Sequence, residues 1–272
     1  MVVKRVLFDK FSLFYILYFY RVFLDLPKAI IMEFNLLRMQ ELTVGTSRSS
    51  TLNVPHLTVV PGGRLISNLL PAAKKAIETF RAKDQATILL YIVGGLPDVT
   101  ERIKDKNYEE IIFPTHEDPD MTSARIINDI ETFYSTILYK YTNTFPIFST
   151  IGSQSLQTWN NHRHRTNKTT YLLHAHQYAD MQTFLEHSIH IVNCHIKQVN
   201  DRHNFTTPNF ARFITKDGNL NDDSPKGLGR PKYGRLSDGC HLKSEKANQW
   251  RSHFLDVCQD NREIVLNWQY NV

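Results

Sequence analysis

The stretch Ala86-Thr-Ile-Leu-Leu-Tyr-Ile-Val93, closed by Gly94-Gly95-Leu96-Pro97-Asp98, decides the fold. Its residues are apolar on both sides of the pleat, without the alternation of a strand that has one wet face. Such a run predicts a strand covered on both faces, as in a parallel sheet packed between helices. The Gly-Gly pair and the proline behind it mark the chain leaving the sheet.

Working outward, Gln40 to Val44 reads as a short strand that ends in Gly45-Thr46-Ser47-Arg48-Ser49-Ser50. His56 to Val60 is a second strand, closed by Pro61-Gly62-Gly63. Leu69 to Ala82 has a helical apolar period, with Pro71 placed in its first turn. Beyond the central strand, Ser123 to Tyr141 and Tyr178 to Asn200 read as helices, and Phe145 to Ile151 as a strand between them. Residues 217–235 form a Gly-, Pro-, Asp- and Asn-rich loop, and Ser244 to Cys258 forms the last helix. Strands alternating with helices predict crossovers and a three-layer α/β/α sandwich with a mainly parallel sheet. In such a fold ligands gather outside the C-terminal ends of the strands. Residues 45–47, 61–63 and 94–98 all fall just there.

The bulk properties set bounds. A chain of 272 residues with 42% hydrophobic content is long enough for one sizeable domain plus an appendage. The net charge of +5 is too small and too dispersed to demand a nucleic-acid partner. Cys194, Cys240 and Cys258 are odd in number and far apart, which excludes a disulfide framework and a CxxC metal clamp, and favours a cytoplasmic setting. Residues 1–38 form a hydrophobic N-terminal extension, and residues 39–272 a single domain. Within the extension, the uncharged, mostly apolar run Phe11–Tyr20 spans ten residues, short of the ~20 a membrane-crossing helix needs. Three readings stay open for it. It is a signal or anchor segment, with membrane contact through residues 6–31 and a secreted or membrane-associated protein; an amphipathic appendage; or an upstream extension before Met32 or Met39.

For chemistry, a serine nucleophile needs a tight exposed turn, an imidazole to take its proton and a carboxylate to orient that imidazole. Ser47 sits at a glycine-initiated strand-to-loop turn, although Ser49 and Ser50 leave open which hydroxyl would react. Asp238-Gly239-Cys240-His241 lies just before the last helix, where a carboxylate and an imidazole three residues apart can share one site. The pairing of these two blocks resembles the SGNH, or GDSL-type, hydrolases. Gly45-Thr46-Ser47 lies where that family has Gly-Asp-Ser, and Asp238-Gly-Cys-His241 matches its last block. Pro61-Gly62-Gly63 resembles the second block and Gly95-Leu96-Pro97-Asp98 the third. The segments Ile151–Trp159, Tyr178–Glu186 and Tyr233–His241 are similar to SGNH-type domains carried by retrotransposons and viral mobile elements. The resemblance covers roughly residues 40–258.

What the resemblance implies is a flavodoxin-like sandwich and a serine esterase with Ser47, Asp238 and His241 as catalytic residues. The oxyanion hole would be formed by the Ser47 amide with Gly62 or Gly63, without a metal or an organic cofactor. Pro97 stands where the family has asparagine and offers no donor, so Asn68 is the candidate replacement. The expected substrate is an ester, anionic or lipid in character. The alternative is a catalytically impaired module of the same fold that contacts nucleic acid or another anionic partner. It would use the 162–168 segment and the basic cluster Lys226, Arg230, Lys232 and Arg235. His162, Arg163, His164 and Arg165 read as a basic turn, and His187, His190 and His195 as solvated or hydrogen-bonded residues of a long helix rather than metal ligands.

Overall fold

The computed structural model describes residues 39–60, 66–81, 87–104, 109–113, 118–167, 175–215 and 231–270. Its frame is a four-stranded, all-parallel sheet of β1 (Met39–Gly45), β2 (Leu57–Val59), β3 (Thr87–Val93) and β6 (Thr144–Phe148), in the order β2-β1-β3-β6. The central strand β3 runs in register with β1, from Met39 beside Thr87 to Gly45 beside Val93.

The unbroken apolar run has the expected cause. Ile88, Leu90 and Ile92 point into a core shared with α1 (Ile66–Arg81), α2 (Pro119–Lys140) and α4 (Ala175–Asp201). Leu89, Tyr91 and Val93 point into the opposite core, beneath α5 (Ser244–Tyr270) and the segment around Phe205–Ile214. Helices therefore cover both faces, and the three-layer α/β/α reading holds. Burying a large aliphatic side chain contributes ~1.5–3 kcal/mol, and β3 supplies such groups to both cores. On the α5 side, the fully buried Trp250 packs edge-on to Phe210 and Phe254, and Phe254 to Tyr91.

Several boundaries differ from the sequence reading. Helix α1 begins at Ile66, so Pro71 lies inside it rather than in its first turn. Pro71 is exposed, so the carbonyl left without its amide partner has access to water. Helix α2 begins at Pro119 because Asp118 caps it, its carboxylate accepting from Met121 N at 2.7 Å. A hairpin of β4 (Glu101–Lys104) and β5 (Glu109–Ile112), not expected from the sequence, forms a separate antiparallel pair. The supposed basic turn at 162–165 belongs to helix α3 (Leu156–Asn167). Leu156, Asn160 and His164, spaced by four, all turn inward on it, so His164 is buried rather than solvated.

Strand β6 is a sheet edge, and its exposed side is closed by side chains. Asn200 donates to Phe148 O at 2.8 Å and accepts from Phe148 N at 3.0 Å. Two turns earlier on the same face of α4, Asn193 does the same to Ile151, at 2.9 and 2.6 Å. Asn261 on α5 clamps Thr206 in the same way. The Asn200 carboxamide replaces one rung of a missing strand, and it and Asn193 satisfy buried backbone groups that would otherwise cost ~1–3 kcal/mol apiece. The clamp at Phe148 also explains Pro146. Two residues away, its missing N–H faces the same outer side and breaks no pairing with β3.

Candidate active site

Parallel strands deliver their C-terminal ends to one edge, and the candidate residues collect there. After β1 the chain turns at once: Thr46 N donates to Val93 O at 3.0 Å, and Val60 N reaches Gly45 O at 2.7 Å. Gly45 has no room for a side chain, since a Cβ would lie 2.6 Å from both the Ser49 side chain and Val93 O. Residues Ser47–Leu52 then form a 3₁₀ turn with Ser47 at its exposed start. The three serines sit in different surroundings. Ser49 is fully buried and donates to Thr46 O at 2.6 Å, while Ser50 donates to Ser47 O at 2.6 Å. Only the Ser47 hydroxyl of these three meets His241, with Oγ 3.3 Å from Nε2.

The Asp238–His241 block is a closed loop without regular structure. Its ends meet in a Leu236–Leu242 bridge, Lys243 N donates to Arg235 O at 2.9 Å, and Ser237 N donates to His241 O at 2.7 Å. Leu236 and Leu242 anchor it in the core beneath α5. Inside the loop, Asp238 Oδ1 accepts from Cys240 N at 2.9 Å and His241 N at 2.8 Å, and Oδ2 lies 2.7 Å from His241 Nδ1. Burial pushes the Asp238 carboxyl up, but these hydrogen bonds outweigh it and hold the group below its ordinary value. The ionised carboxylate keeps the proton on Nδ1 and leaves Nε2 to accept from Ser47. Gly239 bends back at φ +87°, and a Cβ there would stand 2.7 Å from Trp159 N. The Trp159 ring lies 6.2 Å from the His241 ring, with the Arg163 guanidinium 5.9 Å from the Trp159 ring centroid.

The remaining expected residues fare differently. Gly62 and Gly63 lie outside the described residues, as do residues 1–38, Lys226 and Arg230. Asn68 is exposed on the first turn of α1. Pro97 is half-buried in a short 3₁₀ turn, Leu96–Val99, that follows β3. Asp98 beside it is buried, and both of its oxygens accept from Ile66 N at 3.1 Å, which ties this block to the start of α1. Burial raises the Asp98 carboxyl to about 7 against the opposing backbone hydrogen bond from Ile66. Arg235 does not stand as an open cationic rim, because its guanidinium donates to Phe213 O and Thr215 O at 3.2 and 2.5 Å. Lys232 is exposed.

Sequence reasoning missed the frame around the site. Tyr233 O–H donates to Glu186, accepts from Gln182 at 2.5 Å and meets Ser153 Oγ at 3.0 Å, while Gln182 also holds Leu156 N and Gln154 O. Burial and the Glu186 carboxylate push the Tyr233 phenol far above its ordinary range. The segments Ile151–Trp159, Tyr178–Glu186 and Tyr233–His241 thus interlock beneath the histidine loop. The sequence marks these three segments through a resemblance, but no local pattern signals the contacts between them. Of the helix histidines, His187 lies 3.7 Å from Asp120 and His195 2.8 Å from Glu131. Among the described residues no group of three His, Cys, Asp or Glu is placed to hold a metal ion, and no helix is long and apolar enough to cross a membrane.

The fold and site together define an α/β sandwich that carries a hydrogen-bonded Ser–His–Asp chain at the C-terminal edge of a parallel sheet. No protein-family model and no curated protein matches the chain. Among solved structures it is similar to one described as "a putative platelet activating factor from Streptococcus pneumonia". That match has 12% identity and a TM-score of 0.41, over 88% of this chain and 95% of the other.

Proposed function

We propose that the protein is a serine hydrolase of the SGNH type, cleaving a carboxylic ester with Ser47 as nucleophile, His241 as base and Asp238 as the residue that orients it. The observation that carries this reading is the 3.3 Å separation of Ser47 Oγ and His241 Nε2, from residues 194 apart in the chain. That distance is close to the ~2.6–3.2 Å reach of proton transfer, and such contacts tighten when substrate binds. Ser47 Oγ attacks the ester carbonyl carbon while its proton passes to His241 Nε2. The tetrahedral adduct collapses with cleavage of the bond to the alkoxy oxygen, which leaves with that proton as the alcohol. Water then attacks the acyl-serine, His241 takes its proton, and the carboxylic acid and free Ser47 are released. Asp238 stabilises the imidazolium in both steps.

The oxyanion hole proposed for this reaction is the Ser47 amide together with a glycine amide at Gly62 or Gly63, and Asn68 as replacement for the third donor. Pro97 has no N–H to give, and one missing donor costs ~10²–10³ in rate. The expected substrate is a carboxylic ester, such as an acetylated sugar or a lipid ester, and reaction without that loss requires Asn68 to supply the third donor. A fluorophosphonate probe tests the reading. Covalent labelling of Ser47, abolished in Ser47→Ala and sharply slowed in His241→Ala, is the expected result. A folded protein that takes up no probe at Ser47 overturns it.

A further inference from the structure

We propose that Arg48, the residue after the nucleophile, is a positioning residue that holds Ser47 and His241 within reach of each other. This inference rests on the reading of those two side chains as the reacting pair. An arginine on a polar turn at a sheet edge is ordinarily solvated, yet Arg48 is only 8% exposed. Burying a guanidinium is costly unless its donors are used, and the partners here are neutral groups from distant parts of the chain. Nη1 donates to Gly152 O at 2.6 Å, and Nη2 lies 3.4 Å from Ser153 O and 3.5 Å from Cys240 Sγ. The guanidinium also sits 5.4 Å over the Phe210 ring.

These contacts join three segments that no secondary structure connects. Arg48 belongs to the nucleophile turn after β1, Gly152 and Ser153 to the loop after β6, and Cys240 is the residue before His241. The loop after β6 reaches the same place a second way, because Ser155 N donates to Gly239 O at 2.9 Å. One planar fork thus spans the gap between the two halves of the site, in a way the single ammonium of lysine cannot. The Ser47–His241 contact is already long at 3.3 Å, and a misplacement of about 1 Å at a reacting pair is worth ~10²-fold in rate.

The test compares wild type with Arg48→Ala and Arg48→Lys in fluorophosphonate labelling of Ser47, with circular dichroism reporting the folded fraction. The expected result is a ~10- to 100-fold slower labelling in Arg48→Ala, partial recovery in Arg48→Lys, and further recovery of Arg48→Ala with added guanidinium. For a turned-over ester, kcat falls and KM stays. Labelling within twofold of wild type, or a loss matched by the unfolded fraction and not relieved by guanidinium, overturns the proposal. Where Arg48→Ala does not fold, Arg48→Lys carries the comparison, and wild-type labelling in it overturns the proposal. A second readout does not need activity. The His241 ring resonances respond to Ser47→Ala in the wild-type background and lose that response when Arg48 is replaced; an unchanged response overturns the positioning role. Absence of labelling in wild type with this coupling intact would sink the hydrolase reading alone.

Discussion

The Ser47 turn and the Asp238–His241 loop deliver parts of the same hydrogen-bonded chain, yet they are held in opposite ways. The serine turn is an extension of the sheet. Gly45 is still in register with Val93, Thr46 hangs on Val93 O, and Ser49 closes the first turn back onto Thr46. The histidine loop has no strand or helix of its own. It is held by its own carboxylate, by the Leu236–Leu242 bridge, by Ser155 and Trp159 against Gly239, and by Arg48 reaching from the other side. Ser47, held mostly by backbone, depends on few neighbouring side chains, whereas His241, held largely by side chains, depends on many of them. The difference teaches where such a site is fragile.

The largest effect that sharpens this contrast is on the carboxylate. Asp238→Asn keeps the shape of the loop but presents the wrong partner to Nδ1, and a loss of roughly 10⁴-fold in kcat is expected, read from ester hydrolysis at saturating substrate. An activity within tenfold of wild type would break the assignment of Asp238. Because the Asp238 pKa is depressed, the stability it contributes is present above the ordinary carboxylate pKa and is lost as pH falls through its lower folded value.

Next comes the loop's one left-handed residue. Gly239→Ala meets Trp159 N at 2.7 Å and must hold φ +87°, a combination worth ~1–3 kcal/mol. Thermal unfolding should register that loss, and labelling of Ser47 should slow by more than the unfolded fraction explains, since the strain falls between Asp238 and His241. Equal losses in stability and labelling would mean that the loop is no more delicate than the core.

The smallest effect concerns stability alone. Asp98 is raised to about 7 by burial, so between its unfolded value near 4 and about pH 7 the folded state binds the extra proton. Stability therefore falls as pH rises through that window, and the full penalty is present above it. Asp98→Asn keeps an acceptor for Ile66 N and removes the penalty. Its melting temperature should rise relative to wild type from pH 4 to pH 8; a pH-independent difference would refute the raised carboxyl.

The limits of legibility follow the same physics. The run from Ala86 to Val93 suited a doubly covered strand, and the turns behind each strand marked the edge where a site forms. The two blocks around Ser47 and Asp238–His241 were visible because each is local. Helix α3 was hidden because its buried face uses Asn160 and His164, polar residues that a hydrophobic period does not count. The hairpin Glu101–Ile112 was hidden because its strands are four residues each and carry charge.

The sequence by itself determined the layered parallel fold and marked the two candidate blocks around Ser47 and Asp238–His241, because period, turn chemistry and side-chain type are local properties. Only the tertiary structure decided which serine meets His241, and what keeps it there. Those contacts run through Arg48, Gly152, Ser155 and Trp159, whose partners lie far away in the chain. No sequence period records a hydrogen bond between residues separated by a hundred positions.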